Sequence, residues 1–523
     1  MQANPLRPPP SRRTGTVPLR WPIAVLAAVL GLVTIDATAQ KRGGAIVMGL
    51  EADVSGFDPL TVGIYGPPTV DVASVLFESL TRLDDAGKAV PRLALSWMHA
   101  DDYRTWTFKL RPGVRFHDGT PFDANAVKWN FDRQKDPANK CRCAAYITHI
   151  RSVEVVDPLT VVYRLNNPMV LFPEAAARVS QNTAAHSPAA VAARGAEYNR
   201  NPVGTGPYRL KSWVAGDRIV VERNPDYWDA GKSYLDQITF RPLPDSPSRF
   251  ASLLSGEVDV IFHEHFDHEN LARARKDKRF VVHEAPGNGA FPVYALNTKA
   301  PPLDDLRVRQ ALSMAIDKQR LSRVLTGGQA RPATNPYGDA SWVKCSDDGA
   351  LPHDPAKARA LLADYGKPVE FKLLVTTSPR GRAFGQALQQ FWKQVGATVE
   401  IEQIDQGGFI PRALKRQYQV IGWSIVDFPD PDPQTYANFQ SASATGLANA
   451  SNPEIDRMLD RARASSDQRV RSADYCEIGR MVNQQALWLW TFQNHSYAIA
   501  KAKVRGIPRK HGGVTDLSRA WLE

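Results

Sequence analysis

Cysteine is scarce in this chain. Cys141, Cys143, Cys345 and Cys476 are the four in 523 residues, too few for a scaffold built on disulfides in place of a core. No C-x-x-C occurs, which excludes the usual zinc ribbons and fingers. After residue 40 no apolar run reaches the roughly 18 residues that a membrane-spanning helix requires. No Lys/Arg run interleaved with aromatics is present, so the formal charge of +11 reads as a solvated basic surface and not as a nucleic-acid face. No internal repeat or low-complexity segment follows residue 40, which excludes solenoids and linker arrays. Gly204-Thr205-Gly206 is no phosphate loop: Pro207 removes a backbone donor and a strand pattern, not a helix, follows. No Ser/His/Asp triad can be argued from the spacing.

What is present is ordinary globular material, 43% hydrophobic and 23% charged, long enough for several packed cores. Residues 1–39 read as an export signal. A basic, Pro-rich stretch ends at Arg20, the apolar segment Trp21 to Val33 follows, and Ala37-Thr38-Ala39 supplies the cleavage pattern. Thr14-Gly15-Thr16 after Arg12-Arg13 departs from the twin-arginine pattern, and no Cys stands at the cleavage point for a lipid anchor. The mature chain is therefore expected to be soluble and exported, into an oxidising compartment where disulfides are possible. Four cysteines allow three connectivities.

Strand and helix patterns alternate throughout. Gly43 to Leu50 reads as a strand and Val70 to Leu80 as a helix; Trp106, Phe108 and Leu110 alternate with polar residues, and Asp123 caps a helix from Ala124. Two β-rich runs, Tyr208 to Trp213 and Arg218 to Arg223, flank Ala215-Gly216-Asp217 as a hairpin. One helix is expected from Asp304 to Leu325, stopped by Gly327-Gly328, and Glu454 to Gln485 reads as mostly helical. Phe371 to Thr376, Arg382 to Val395 and Thr398 to Ile404 form a βαβ unit. The class is mixed α/β with more than one core.

Three blocks, in order, carry a family resemblance: TWTFKLRPGVRFHDGTPFDANAVKWNFDR from Thr105, NPVGTGPYRLKSWVAGDRIVVERNPDYW from Asn201 and LNTKAPPLDDLRVRQALSMAIDKQRL from Leu296. LLSGEVDVI from Leu253, DPAKARALLADYG from Asp354 and WSIVDFPDPDP from Trp423 add to them. Together they resemble the extracytoplasmic solute-binding proteins of ABC importers, family 5, the dipeptide/oligopeptide/nickel-binding type. The resemblance implies an α/β, two-lobed periplasmic-binding-protein clamp, type II-like, with an extra domain inserted in the first lobe. Lobe I would hold residues 41–84, 204–296 and 494–523, the extra domain 85–203 and lobe II 297–493, with crossings near Asn297 and Asn494. It further implies capture of a small solute, foremost a short peptide, without catalysis or cofactor. Delivery would be to an ABC permease, by a periplasmic protein expected to be a monomer. Cys345 and Cys476 fall in the same implied lobe and are the favoured pair.

Relatives place an Asp shortly after the Trp of the WSIVDFPDPDP block, where it meets a ligand α-ammonium. Asp427 is the matching position, with one extra residue between it and Trp423. An ammonium in a closed cleft needs a charged partner; Asp427 would serve equally as a turn residue before Pro429. Asp430 and Asp432 suit turn chemistry. Arg380, between a strand and a helix, matches the arginine that dipeptide binders aim at a ligand carboxylate, with Arg382 as competitor and a solvated surface arginine as the plain alternative. Tyr65 and Trp423 would wall the cleft, or pack as core.

A separate pattern stands at His263-Glu264-His265-Phe266-Asp267-His268, the H-x-H-x-D-H run of metal-dependent hydrolases. The later histidines, His283, His353, His495 and His511, lack the Gly-His-Ser/Thr context that such enzymes add. The hydrolase is thus the alternative from another class, with His263, His265 and His268 as its metal candidates. The same clamp binding nickel, an opine or a glycoside is the third reading.

Overall fold

The structure, a computed structural model, describes residues 40–62, 67–141, 143, 147–177, 183–264, 267–338, 341–426, 429–443, 445–508 and 514–523. The expected leader, residues 1–39, lies outside them. Among the described residues no helix is long and apolar enough to cross a membrane.

In chain order the strands are β1 (Ala45–Leu50), β2 (Thr81–Leu83), β3 (Ala89–Pro91), β4 (Ala94–His99), β5 (Thr105–Leu110), β6 (Ile150–Asp157), β7 (Thr160–Leu165), β8 (Tyr208–Val214), β9 (Arg218–Arg223) and β10 (Gln237–Pro242). They continue as β11 (Val260–Glu264), β12 (Phe280–Leu296), β13 (Arg331–Pro332), β14 (Glu370–Thr376), β15 (Thr398–Ile404), β16 (Val420–Val426), β17 (Trp488–Trp490), β18 (Phe492–Lys501), β19 (Val504–Arg505) and β20 (Trp521–Leu522). One sheet runs β15-β14-β16-β12-β18-β11-β1-β10-β9-β8, with β13 and β17 beside β18 and β12. A separate four-stranded sheet has the order β4-β5-β7-β6.

Two halves of the large sheet meet at β12 and β18. β1, β10 and β11 pack Ile46, Met48, Ile238, Phe240, Val260 and Phe262 into one core; β14 and β16 pack Leu373, Val375 and Val420 into another. The four-stranded sheet has its own core around Trp106, Phe108 and Phe131. Each large apolar side chain so buried contributes about 1.5–3 kcal/mol, so every core has independent reason to hold.

The expected βαβ unit is present. β14 and β15 run parallel in register from Glu370↔Thr398 to Thr376↔Ile404. Their crossover helix, Pro379–Gln394, is capped by Ser378 accepting from Gly381 N at 3.0 Å and buries Phe384, Leu388 and Trp392. The β8–β9 hairpin also forms as read, its Gly216 N held by the Asp53 carboxylate at 2.8 Å. Its preceding glycines are needed for close approach: a Cβ on Gly204 would lie 2.2 Å from Leu76 O, and one on Gly206 2.4 Å from Val75 O.

Several elements differ from expectation. The helix from Asp304 to Leu325 is two, Leu306–Met314 and Lys318–Thr326, because the Asp317 carboxylate accepts from Arg320 N at 2.8 Å and starts a new turn. The stretch from Glu454 to Gln485, by contrast, is mostly helical as read, in two helices, Pro453–Ala464 and Gln468–Gln484, the second capped by Asp467. Arg380 lies not between strand and helix but within the first turn of Pro379–Gln394, since Ser378 caps earlier than expected. Cys345 pairs with Cys476, Cα–Cα 5.5 Å, as favoured; Cys141 pairs with Cys143.

Candidate functional site

Strand direction alone locates a cleft. β16 is antiparallel to β12 and runs from Val420, opposite Leu296, to Val426, opposite Ala290. β14 is parallel to β16 and β15 to β14. On the other side β11 is antiparallel to β18 and runs from Val260, opposite Ala500, to Glu264, opposite Ser496; β1 and β10 run parallel with it. The carboxyl ends of both sets of parallel strands therefore face the middle of β12, where its register with β18 shifts between Glu284 and Gly289. Loops at facing carboxyl ends are where open α/β sheets bind ligands.

β16 delivers Trp423 to that edge. Val420, Ile421 and Ile425 are buried, while Trp423 is half-buried and stacks on Phe409, ring centroids 6.1 Å apart and 13° between planes. Arg380 is half-buried at the start of the helix that follows β14, on the same edge as Trp423. It lies near the buried Tyr294, whose hydroxyl is pushed up by burial against the opposing Arg380 charge. Arg382, the competing arginine, is exposed and folds its guanidinium onto the Thr377 carbonyl of its own loop. Trp423, in β16, and Arg380, in the helix that follows β14, thus belong to the same half. Asp427 and Tyr65 lie outside the described residues.

The segments that flank those two positions are held by buried ion pairs. Asp432 is 2% exposed and accepts both Nε and the neighbouring amine of Arg463 at 3.0 Å each. Arg463 also sits 3.3 Å over the Tyr436 ring. Burial works against its charge, but Asp432 more than offsets this and raises the guanidinium pKa. Asp430 accepts from Arg471 at 2.6 Å, from Trp342 Nε1 at 3.1 Å and from Asp432 N at 3.0 Å. Besides the expected turn chemistry, then, both aspartates are anchors. On the opposite side Asp58, after β1, takes Arg133 bidentately at 2.9 and 2.7 Å. Burial raises the Asp58 pKa, and Arg133 brings it below the usual carboxylate value. Removing one partner of such a pair costs about 3–5 kcal/mol. Sequence reasoning missed these anchors because the partners lie 75, 31 and 41 residues apart.

The histidine run is divided between the end of β11 and the start of the next helix. His263 ends β11 fully buried, with Nε2 against the Asp267 carbonyl at 2.8 Å. His268 opens the helix His268–Lys276 and its ring packs on Gly327. His265 lies outside the described residues. Among the described residues no group of three or more His, Cys, Asp or Glu is arranged to hold a metal.

The two halves touch. His268 meets Gly327, Pro429 sits on Gly87, and Val170 N donates to the Arg463 carbonyl at 3.1 Å. Two lobes hinged on β12 and β18 and closed over facing carboxyl-end loops define a clamp of the periplasmic-binding-protein type.

The chain belongs to the bacterial extracellular solute-binding proteins, family 5, whose middle region matches residues 88–446; this is a family of non-enzymatic solute-binding proteins. It is 30% identical over 513 residues to the glutathione-binding protein GsiB of Pectobacterium atrosepticum, covering 94% of this chain and 96% of that one. It is 31% identical over 509 residues to the probable di/tripeptide-binding protein 5 of Pseudomonas aeruginosa, covering 90% and 94%. Among solved structures it matches a Pseudoalteromonas dipeptide-binding protein in complex with Met-Leu at TM-score 0.82 and 25% identity, covering 92% and 100%. It shares its fold with Helicobacter pylori DppA in complex with the peptide STSA, TM-score 0.83 at 24% identity, covering 92% and 99%.

Proposed function

We propose that the protein captures a short peptide with a free α-amino group between its lobes and hands it to an ABC permease, without catalysis. The observation that carries this reading is the convergence of carboxyl-end loops on the middle of β12, with Trp423 leading into a segment pinned by two buried Asp–Arg pairs. Asp427 is assigned the ligand ammonium, Arg380 the ligand carboxylate, and Trp423 and Tyr65 the walls. Residues 41–84, 204–296 and 494–523 act as lobe I, 85–203 as the extra domain and 297–493 as lobe II. The protein works as an exported, periplasmic monomer after loss of residues 1–39. The names of its relatives, which bind glutathione and di- or tripeptides, support a peptide ligand.

The test is mass spectrometry of ligand carried through native purification, followed by calorimetry with that ligand. A short peptide is expected, and Asp427→Ala should abolish binding of free-amine peptides. A nickel complex, opine or glycoside in the cleft would overturn the peptide assignment, and unchanged affinity in Asp427→Ala would remove that residue. Stoichiometric zinc with hydrolytic turnover, both lost in His263→Ala/His265→Ala, would replace binding by catalysis.

A further inference from the structure

The contacts between the two halves include a seam away from the hinge strands β12 and β18. One jaw is the β2–β3 hairpin together with the segment after β7. These are tied into one piece by Thr81 Oγ1 donating to the Pro173 carbonyl at 2.6 Å, Ser79 Oγ to Ala177 O at 3.1 Å and Ala89 N to Glu174 Oε1 at 3.3 Å. The other jaw is the segment from Pro429 to Asp432 with Arg463 and Arg471, tied by the ion pairs already described. Among the described residues the strands shared by the two halves are β12 and β18, and neither Cys141–Cys143 nor Cys345–Cys476 spans this seam.

Two features mark it as built. Gly87, at the turn of its hairpin, is buried while Ala86 and Lys88 beside it are exposed. It is covered by Pro429, so closely that a Cβ at position 87 would lie 2.4 Å from Pro429 Cγ. Its φ of +76° also suits glycine. At the second point Val170 N donates to the carbonyl of Arg463, whose side chain, only 10% exposed, is fixed by Asp432 and Tyr436. One element opposes closure: Glu174, its pKa raised chiefly by burial, also feels the like charge of Asp430 across the seam.

We propose that this seam is the clasp of the clamp, with Arg463 as its positioning residue and the Gly87–Pro429 contact as its steric gauge. Arg463 holds Asp432, and with it the segment carrying Pro429, at the height where both contacts can form. The clasp then sets how long a ligand stays enclosed, because it forms after entry and must break before exit, whereas capture precedes it. This rests on reading the protein as a closing solute-binding clamp.

The test compares dissociation of the dipeptide Met-Leu, by stopped-flow fluorescence, from the wild type, Gly87→Ala, Arg463→Ala and Gly87→Ala/Pro429→Gly. Gly87→Ala is expected to release at least about tenfold faster with an association rate changed less than about threefold. Arg463→Ala should also release faster, and Pro429→Gly in the double variant should slow release again in part, by making room for the added methyl while the strain of a side chain at φ +76° remains. Wild-type release rates in Gly87→Ala and Arg463→Ala, or no rescue by Pro429→Gly, would overturn the clasp. If Met-Leu fails to bind the wild type, the peptide reading is still judged by the carried ligand and the clasp by Gly87→Cys/Pro429→Cys in the full chain. An oxidative cross-link between those positions, mapped by peptide mass, supports it; their failure to join overturns it.

Discussion

Replacing Glu78 by alanine is expected to be among the most damaging single changes outside the cleft. The Glu78 side chain is wholly buried at the junction between the large sheet and the four-stranded one. Its carboxylate accepts from Arg92 Nε at 3.0 Å, Tyr227 OH at 2.9 Å and Trp228 Nε1 at 2.8 Å. Arg92 is itself only 13% exposed, and its guanidinium pKa is raised because Glu78 more than offsets the burial that lowers it. Trp228 in turn carries Arg111 4.0 Å above its ring. Hydrogen bonds to a charged group contribute about 1.5–3 kcal/mol each and are not additive. Removing one partner of a buried ion pair costs about 3–5 kcal/mol. The larger range is the expected loss for Glu78→Ala, because Arg92 is left buried without its counter-charge while two further donors lose their acceptor. For a chain of this size unfolding as one unit that corresponds to a fall of roughly 3–5 °C in Tm. Glu78→Gln keeps the shape but offers Tyr227 and Trp228 only one acceptor, and is expected to lose about 2–3 kcal/mol. The assay is thermal and urea unfolding followed by both far-UV dichroism and tryptophan fluorescence, since several cores need not unfold together. Glu197, an exposed carboxylate, is the control, and Glu197→Ala should stay within about 0.5 kcal/mol. A Tm for Glu78→Ala within a degree of wild type would refute the argument that this carboxylate organises the junction.

Cys345→Ser/Cys476→Ser opens a loop with sequence separation 131 and should cost about 3–5 kcal/mol. Equal urea midpoints with and without reductant would count against that. His186 is buried and its pKa is lowered to about 3, by burial first, with Asp58 raising it and Arg133 lowering it. A depressed folded value means that the unfolded chain binds the proton more readily. The stabilisation is therefore complete above the ordinary value of about 6.5 and is lost as pH falls toward about 3, by up to about 5 kcal/mol. His186→Gln should flatten the acid limb of a stability–pH profile, and an unaltered limb would contradict this. Trp423→Ala should weaken ligand binding by about 1–2 kcal/mol by removing a stacked wall, while Trp423→Phe largely keeps it. Equal affinities for all three proteins in calorimetry would show that Trp423 only packs on Phe409.

Much of the architecture was legible because it is written in local patterns. The β14–helix–β15 unit, the β8–β9 hairpin and the Asp123-capped helix each follow from periodicity and turn residues within about 30 positions. The failures are local too. Asp317 splits a helix that its apolar stripe suggested was continuous, because a carboxylate aimed at a free backbone N–H outweighs a stripe that continues past it. The first half of β12, with Pro286 and Gly287 inside it, was not read as a strand, and it pairs along β18 from Phe280↔Lys501 to Glu284↔Tyr497.

The sequence by itself determined the class of fold, the family to which the chain belongs and the order of its elements, since these rest on blocks read residue by residue. It also proposed the candidates at Tyr65, Arg380, Trp423 and Asp427. Only the tertiary structure decided that the carboxyl ends of the two strand sets face each other across β12, and that Asp58, Asp430 and Asp432 are anchors tied to Arg133, Arg471 and Arg463. The tertiary structure also decided that the His263 ring closes a turn on Asp267. It brought Gly87 against Pro429 as well. Except for the His263 turn, whose partner is four residues on, those outcomes depend on partners tens to hundreds of residues away, and whether a charge is anchored or solvated is set by what folding packs beside it, which no local pattern encodes.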